Sequence, residues 1–74
     1  MKSRGDIVNR FSERLKFLRK KYNVTQEQLA EKSNVSYKNI QYLESKNPTC
    51  PSLRTLEKIA KAFNLSLSKL LDFK

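Results

Sequence analysis

Side chains equipped for chemistry are scarce in this sequence, and the few that cluster are suited to binding. Histidine is absent and Cys50 stands alone, so the chain cannot assemble a His/Cys metal centre, a Cys/His nucleophile pair or an internal disulfide. The only glycine, Gly5, cannot build a phosphate-cradling loop. No enzyme is expected: no catalytic residue, metal, cofactor or small-molecule ligand. The informative stretch is SYKNIQY, which brings Ser36, Tyr37, Lys38, Gln41 and Tyr42 together. Lysine donates to O6 and N7 of guanine, and a glutamine carboxamide pairs with adenine. Tyrosine can meet a thymine methyl or donate its hydroxyl to phosphate. A net charge of +9, from sixteen Lys and Arg against seven acids, favours a polyanionic partner through counterion release. A merely solvated surface would carry the same charge, so charge alone decides nothing.

Presenting those side chains together requires a helix with one polar and one apolar face. At roughly 100° per residue, Ser45, Gln41 and Tyr42 fall within about 60° of Lys38, with Ile40 and Leu43 on the far side. Residues 36–45 are therefore predicted as a helix capped by Ser36. Upstream, Thr25 and Gln28 have the spacing of a capping box, opening a helix that ends near Ser33. Asn34 is the residue type best able, after glycine, to take the left-handed turn between the two. A first helix, capped by Asp6, carries Ile7, Phe11, Leu15, Leu18 and Tyr22 on one stripe and ends at Asn23, leaving Phe17 off the stripe.

Residues 46–51 hold both prolines and read as a loop. Ser52 caps a fourth helix with Leu53, Leu56, Ile59, Ala60 and Phe63, closed by Asn64. Ser66 caps a short fifth helix with Leu67, Leu70, Leu71 and Phe73. No stretch alternates with period two, so the expected class is all-α. Seventy-four residues make one compact domain over 1–74, with residues 1–5 as a flexible arm. Without a run of about 20 apolar residues or a signal-peptide pattern, the expected compartment is the cytoplasm.

The segment QEQLAEKSNVSYKNIQYLE, residues 26–44, resembles the lambda-repressor-like (Cro/repressor, XRE-type) helix-turn-helix family. Small Ala30 stands where two helices cross, Asn34 at the turn, and Val35, Ile40 and Leu43 as inward anchors. The flanks LKFLRKKYNVTQEQLA and PSLRTLEKIAKAFNLSLSKLL are similar too, so the resemblance spans residues 11–71. The chain departs at Asn34, where the family usually has glycine, which implies the same fold at slightly lower stability.

The resemblance implies a compact five-helix DNA-binding domain. It places base contacts on Ser36, Tyr37, Lys38, Gln41 and Tyr42. It also implies a phosphate contact from Gln26 and a second phosphate clamp around Lys46, Asn47, Thr49, Ser52 and Arg54, with Arg14, Lys20 and Lys21 adding charge nearby. Arg19 and Glu44 fall at positions that form a structural ion pair. The implied partner is double-stranded DNA, bound by a homodimer on paired half-sites. Dimer contacts would come from Leu65, Leu67, Leu70, Phe73 and Phe17, although Leu67 and Leu70 fit the monomer's own core better, and Phe73 and Phe17 fit a surface contact better. The expected function is a transcriptional repressor or autoregulator, prokaryotic in type and nucleoid-associated through DNA. Within the family, restriction–modification controller proteins and regulators on mobile elements are the nearest in size. An antitoxin-type module that binds a protein as well as DNA is the competing reading, and an RNA binder a third.

Overall fold

A computed structural model of the chain describes residues 4–73. Its elements there are α1 (Arg4–Lys21), α2 (Gln26–Ser33), α3 (Tyr37–Leu43), α4 (Leu53–Ala62) and α5 (Leu67–Leu70), with no strand among the described residues. The first helix begins earlier than its sequence suggests. Arg4 and Gly5 are already helical and Asp6 is interior to the helix, so Asp6 is not its cap. The expected arm at 1–5 is thus helical at residues 4 and 5, and residues 1–3 lie outside the described part.

Capping fixes where the remaining helices start. Thr25 Oγ1 accepts from the Gln28 N–H at 3.0 Å, while the Gln28 side chain accepts from the Thr25 N–H at 2.9 Å, completing the capping box. Ser36, Ser52 and Ser66 each accept the backbone N–H three residues on, opening α3, α4 and α5. Asparagine closes what serine and threonine open. Asn23, Asn34 and Asn64 sit at φ of 58°, 61° and 61°, the left-handed region that a Cβ penalises. At Asn34 this turn directs the chain from α2 into α3, and the Val35 N–H returns to the Ala30 carbonyl at 3.2 Å.

One core gathers all five helices. Leu15 and Leu18 of α1, Leu29 of α2, Ile40 and Leu43 of α3, Ile59 of α4 and Leu70 of α5 are all fully buried. Val35, Leu56 and Phe63 are buried beside them, and Ala30 packs against the same cluster. The central helix α2 touches α3 and α4, and α4 in turn carries α5. Two ends of the apolar stripes overshoot this core. Ile7 is exposed and only lines a shallow apolar concavity of about 330 Å³ with Phe11, Leu56 and Phe73. Leu53, the first residue of α4, is 74% exposed rather than inward. Tyr22 is also largely exposed, its ring stacked at a tilt 5.7 Å from that of Phe63.

The left-handed turn at Asn34 gives a direct test by urea unfolding. Asn34→Ala is expected to lower the unfolding free energy by about 1 kcal/mol, because alanine keeps the Cβ clash and loses the short polar side chain that lets asparagine tolerate this region. Asn34→Gly should keep it within about 0.5 kcal/mol of the native chain or above it, since glycine lacks the clash but adds unfolded-state entropy. Equal stability of the alanine variant and the native chain would contradict the turn.

Candidate nucleic-acid interface

The third helix is sharply two-faced. Tyr37, Lys38, Gln41 and Tyr42 are exposed together, while Ile40 and Leu43 on the opposite side are fully buried. Ser36 precedes them as the N-cap, its Oγ accepting from the Asn39 N–H at 3.1 Å, so its side chain is committed first to starting the helix. The helix stops at Leu43, two residues short of the expected Ser45. Glu44 takes the C-cap at φ −102° and ψ 6°, and Ser45 instead folds its Oγ onto the Tyr42 carbonyl at 2.8 Å.

Glu44 accounts for that stop. Its side chain is 3% exposed and lies at the end of a helix where the dipole is negative, a poor location for a carboxylate. Three donors compensate. Arg19 gives Oε2 its Nε at 2.6 Å and Oε1 its Nη2 at 2.7 Å, a bidentate fork. Gln26 adds Nε2 to Oε1 at 3.0 Å. The hydrogen bond to Glu44 pushes the Arg19 pKa above its already high ordinary value, against the opposing effect of burial, so the guanidinium stays charged. Arg19 Nη1 also donates to the Val24 carbonyl at 3.1 Å, tying down the α1–α2 turn. The expected Arg19–Glu44 pair is therefore present, and it includes Gln26, which sequence spacing did not reveal. No local period connects positions 26 and 44.

Gln26 opens α2 half-exposed, beside the backbone N–H groups of the first turn that precede the first intrahelical bond. It lines a concavity of about 450 Å³ with Arg19, Lys20, Thr25 and Tyr37, so the starts of α2 and α3 face one space. Lys46, Asn47 and Thr49 are exposed in the α3–α4 loop. Ser52 caps α4 and also bonds Thr55 Oγ1 at 3.0 Å. Arg54 is exposed on α4.

Arg14 belongs elsewhere. Its Nε and Nη2 donate to the Leu70 and Lys69 carbonyls at 3.2 and 2.8 Å, so it caps the end of α5 instead of adding charge beside α3. The residues expected at a dimer contact do not form one patch. Leu70 is fully buried and has no surface to offer a second copy. Phe17 and Phe73 share a concavity with Arg10 and Arg14 along α1, whereas Leu65 and Leu67 share another, on α4 and α5, with Leu53.

The helix-turn-helix family model matches residues 15–70, which include all of α2 to α5 and the later turns of α1. The chain belongs to this family, of the lambda-repressor-like XRE type. It is a protein of the transcriptional-regulator class, not an enzyme. Two similar proteins of Archaeoglobus fulgidus, each called an uncharacterized HTH-type transcriptional regulator, are 43% and 40% identical over 60 residues. The alignments cover 81% of this chain and 84% and 83% of theirs. A competence pilus inhibition repressor of Acinetobacter baylyi is 46% identical over 56 residues, 76% of this chain and 50% of that protein. No described helix is long and apolar enough to cross a membrane.

Truncating the buried carboxylate would leave Arg19 and Gln26 without their acceptor. Glu44→Ala is expected to cost about 3 kcal/mol of stability, read by urea unfolding, and Arg19→Met with Glu44→Leu should recover much of it. An unchanged unfolding midpoint in Glu44→Ala would rule out a structural role for the pair.

Proposed function

We propose that this chain is a sequence-specific regulator of transcription, a repressor or autoregulator, that inserts α3 into the major groove of double-stranded DNA. The observation that carries the reading is the joint exposure of Tyr37, Lys38, Gln41 and Tyr42 above buried Ile40 and Leu43. A major groove about 12 Å wide admits one helix, and these side chains offer donors, acceptors and ring edges to the bases. Lys38 takes guanine, Gln41 adenine, and the tyrosines thymine methyls or phosphate, while Ser36 adds its hydroxyl at the helix start. Gln26, at the positive end of α2, contacts one phosphate. Lys46, Asn47, Thr49, Ser52 and Arg54 form a second clamp across the α3–α4 loop. The name of the Acinetobacter relative supports repression as the outcome. The working compartment is the cytoplasm, at the nucleoid of a prokaryotic-type cell.

One module reads few base pairs, so the active form is a homodimer on half-sites about one helical turn, roughly 34 Å, apart. A body of 35 × 24 × 22 Å allows two copies to stand side by side at that spacing. The α4–α5 face with Leu53, Leu65 and Leu67 supplies the contact, because it presents the most exposed leucine and leaves α3 free.

Selection of bound duplexes from random sequence tests the assignment of roles. Lys38→Ala should change the preferred base at its position by about 1–3 kcal/mol of discrimination. Gln26→Ala should weaken every sequence alike and leave the salt dependence unchanged, since a neutral amide releases no counterion. Lys46→Ala should lower the salt slope by about 1. The same uniform effect from Lys38→Ala and Gln26→Ala would overturn the division between base and phosphate contacts. For the dimer, sedimentation of the native chain should show self-association at high micromolar concentration, abolished by Leu53→Glu with Leu67→Glu. A native chain that remains monomeric there contradicts it.

A further inference from the structure

We propose that Glu44 is a positioning residue for DNA: it orients the Gln26 carboxamide so that one N–H stays inside the protein and the other is presented to a backbone phosphate. This inference rests on the phosphate contact assigned to Gln26 above. A glutamine at an exposed helix start ordinarily rotates among several rotamers, and its amide offers two N–H donors and a carbonyl at an arbitrary angle. Here one donor is taken, Nε2 lying 3.0 Å from Glu44 Oε1. The carboxylate is a pure acceptor, so only the nitrogen side of the amide can face it, and the amide cannot flip. Planarity then fixes the second N–H at about 120° to the first, away from Glu44. Gln26 lines the concavity between the starts of α2 and α3, where Lys20 and Tyr37 also stand. A phosphate seated there meets an ordered donor whose orientation has already been set, so less rotamer entropy is lost on binding.

Glu44 can do this because it is itself fixed. Its own charge is neutralised by the two-point contact with Arg19, so the carboxylate near a phosphate site does not repel the DNA. Arg19 leads on to the Val24 carbonyl just before α2, and Glu44 caps α3. The phosphate anchor of α2 and the reading helix α3 thereby share one rigid reference point. The register of the bases against α3 follows from where the phosphate is held.

A mutant cycle tests this in DNA binding, using a duplex selected by the native chain and variants shown folded by their melts. Gln26→Met should weaken binding about tenfold when Glu44 is present, the loss expected for a hydrogen bond to a charged group. In an Arg19→Met, Glu44→Leu background, which keeps no acceptor at position 44, the same change should cost less than about twofold, because the amide there is no longer held. A tenfold loss in both backgrounds would overturn the positioning role while leaving the phosphate contact intact. No loss in either would remove the phosphate contact and the positioning role together. The native chain offers an independent readout that needs no variant. One side-chain amide proton of Gln26 should be protected from hydrogen exchange and shifted apart from its geminal partner in NMR spectra. Two geminal protons with the ordinary separation and the fast solvent exchange of an exposed glutamine amide would contradict the proposal.

Discussion

The half of this domain built from α1, α2 and α3 depends on a buried carboxylate placed where a helix dipole does not want it. Glu44 ends α3, and only the fork from Arg19 and the amide from Gln26 make that position tenable. The arrangement draws two donors from α1 and one from α2 onto the end of α3. Hydrophobic packing of Ile40 and Leu43 determines which face of α3 is buried. It does little to prevent a seven-residue helix from sliding or rolling on α2, because dispersion contacts are non-directional. The charged hydrogen bonds are directional, and they supply the angle that packing leaves loose.

A second constraint comes from chain direction. With a single glycine in the sequence, the domain makes its sharp helix ends with asparagine at positions 23, 34 and 64. Each helix from α2 to α5 is then started by a Ser or Thr hydroxyl. Short helices gain little from propensity alone, and α5 is a single turn. Their ends are therefore specified residue by residue, and their persistence depends on the common core. Arg14 completes the scheme by holding the last carbonyls of α5 against α1.

Much of this was legible in the sequence because it is encoded locally. The capping box at Thr25 and Gln28, the serine caps and the turn at Asn34 depend on residues three or four apart. So does the division of α3 into a polar and an apolar face. What could not be read depends on distance in the chain. The Gln26–Glu44 bond and the Arg14 cap on α5 join segments that no period relates. Helix ends depart from the apolar stripes for the same reason. A stripe continues through Ile7 and Leu53, but the core does not extend to cover them, and α3 stops where Glu44 turns toward Arg19. The Arg19–Glu44 pair was anticipated only through family resemblance, since an arginine and a glutamate 25 positions apart carry no local signal.

Titration of the isotope-labelled protein with its selected duplex, followed by NMR, tests the central claim most directly. A helix held by Glu44 and reading DNA with its outer face should show the largest shifts at Tyr37, Lys38, Gln41 and Tyr42. The side-chain amide of Gln26 should move with them, while Phe17 and Phe73 across α1 stay unperturbed. Shifts concentrated on α1 or α5 with α3 unchanged would contradict the account.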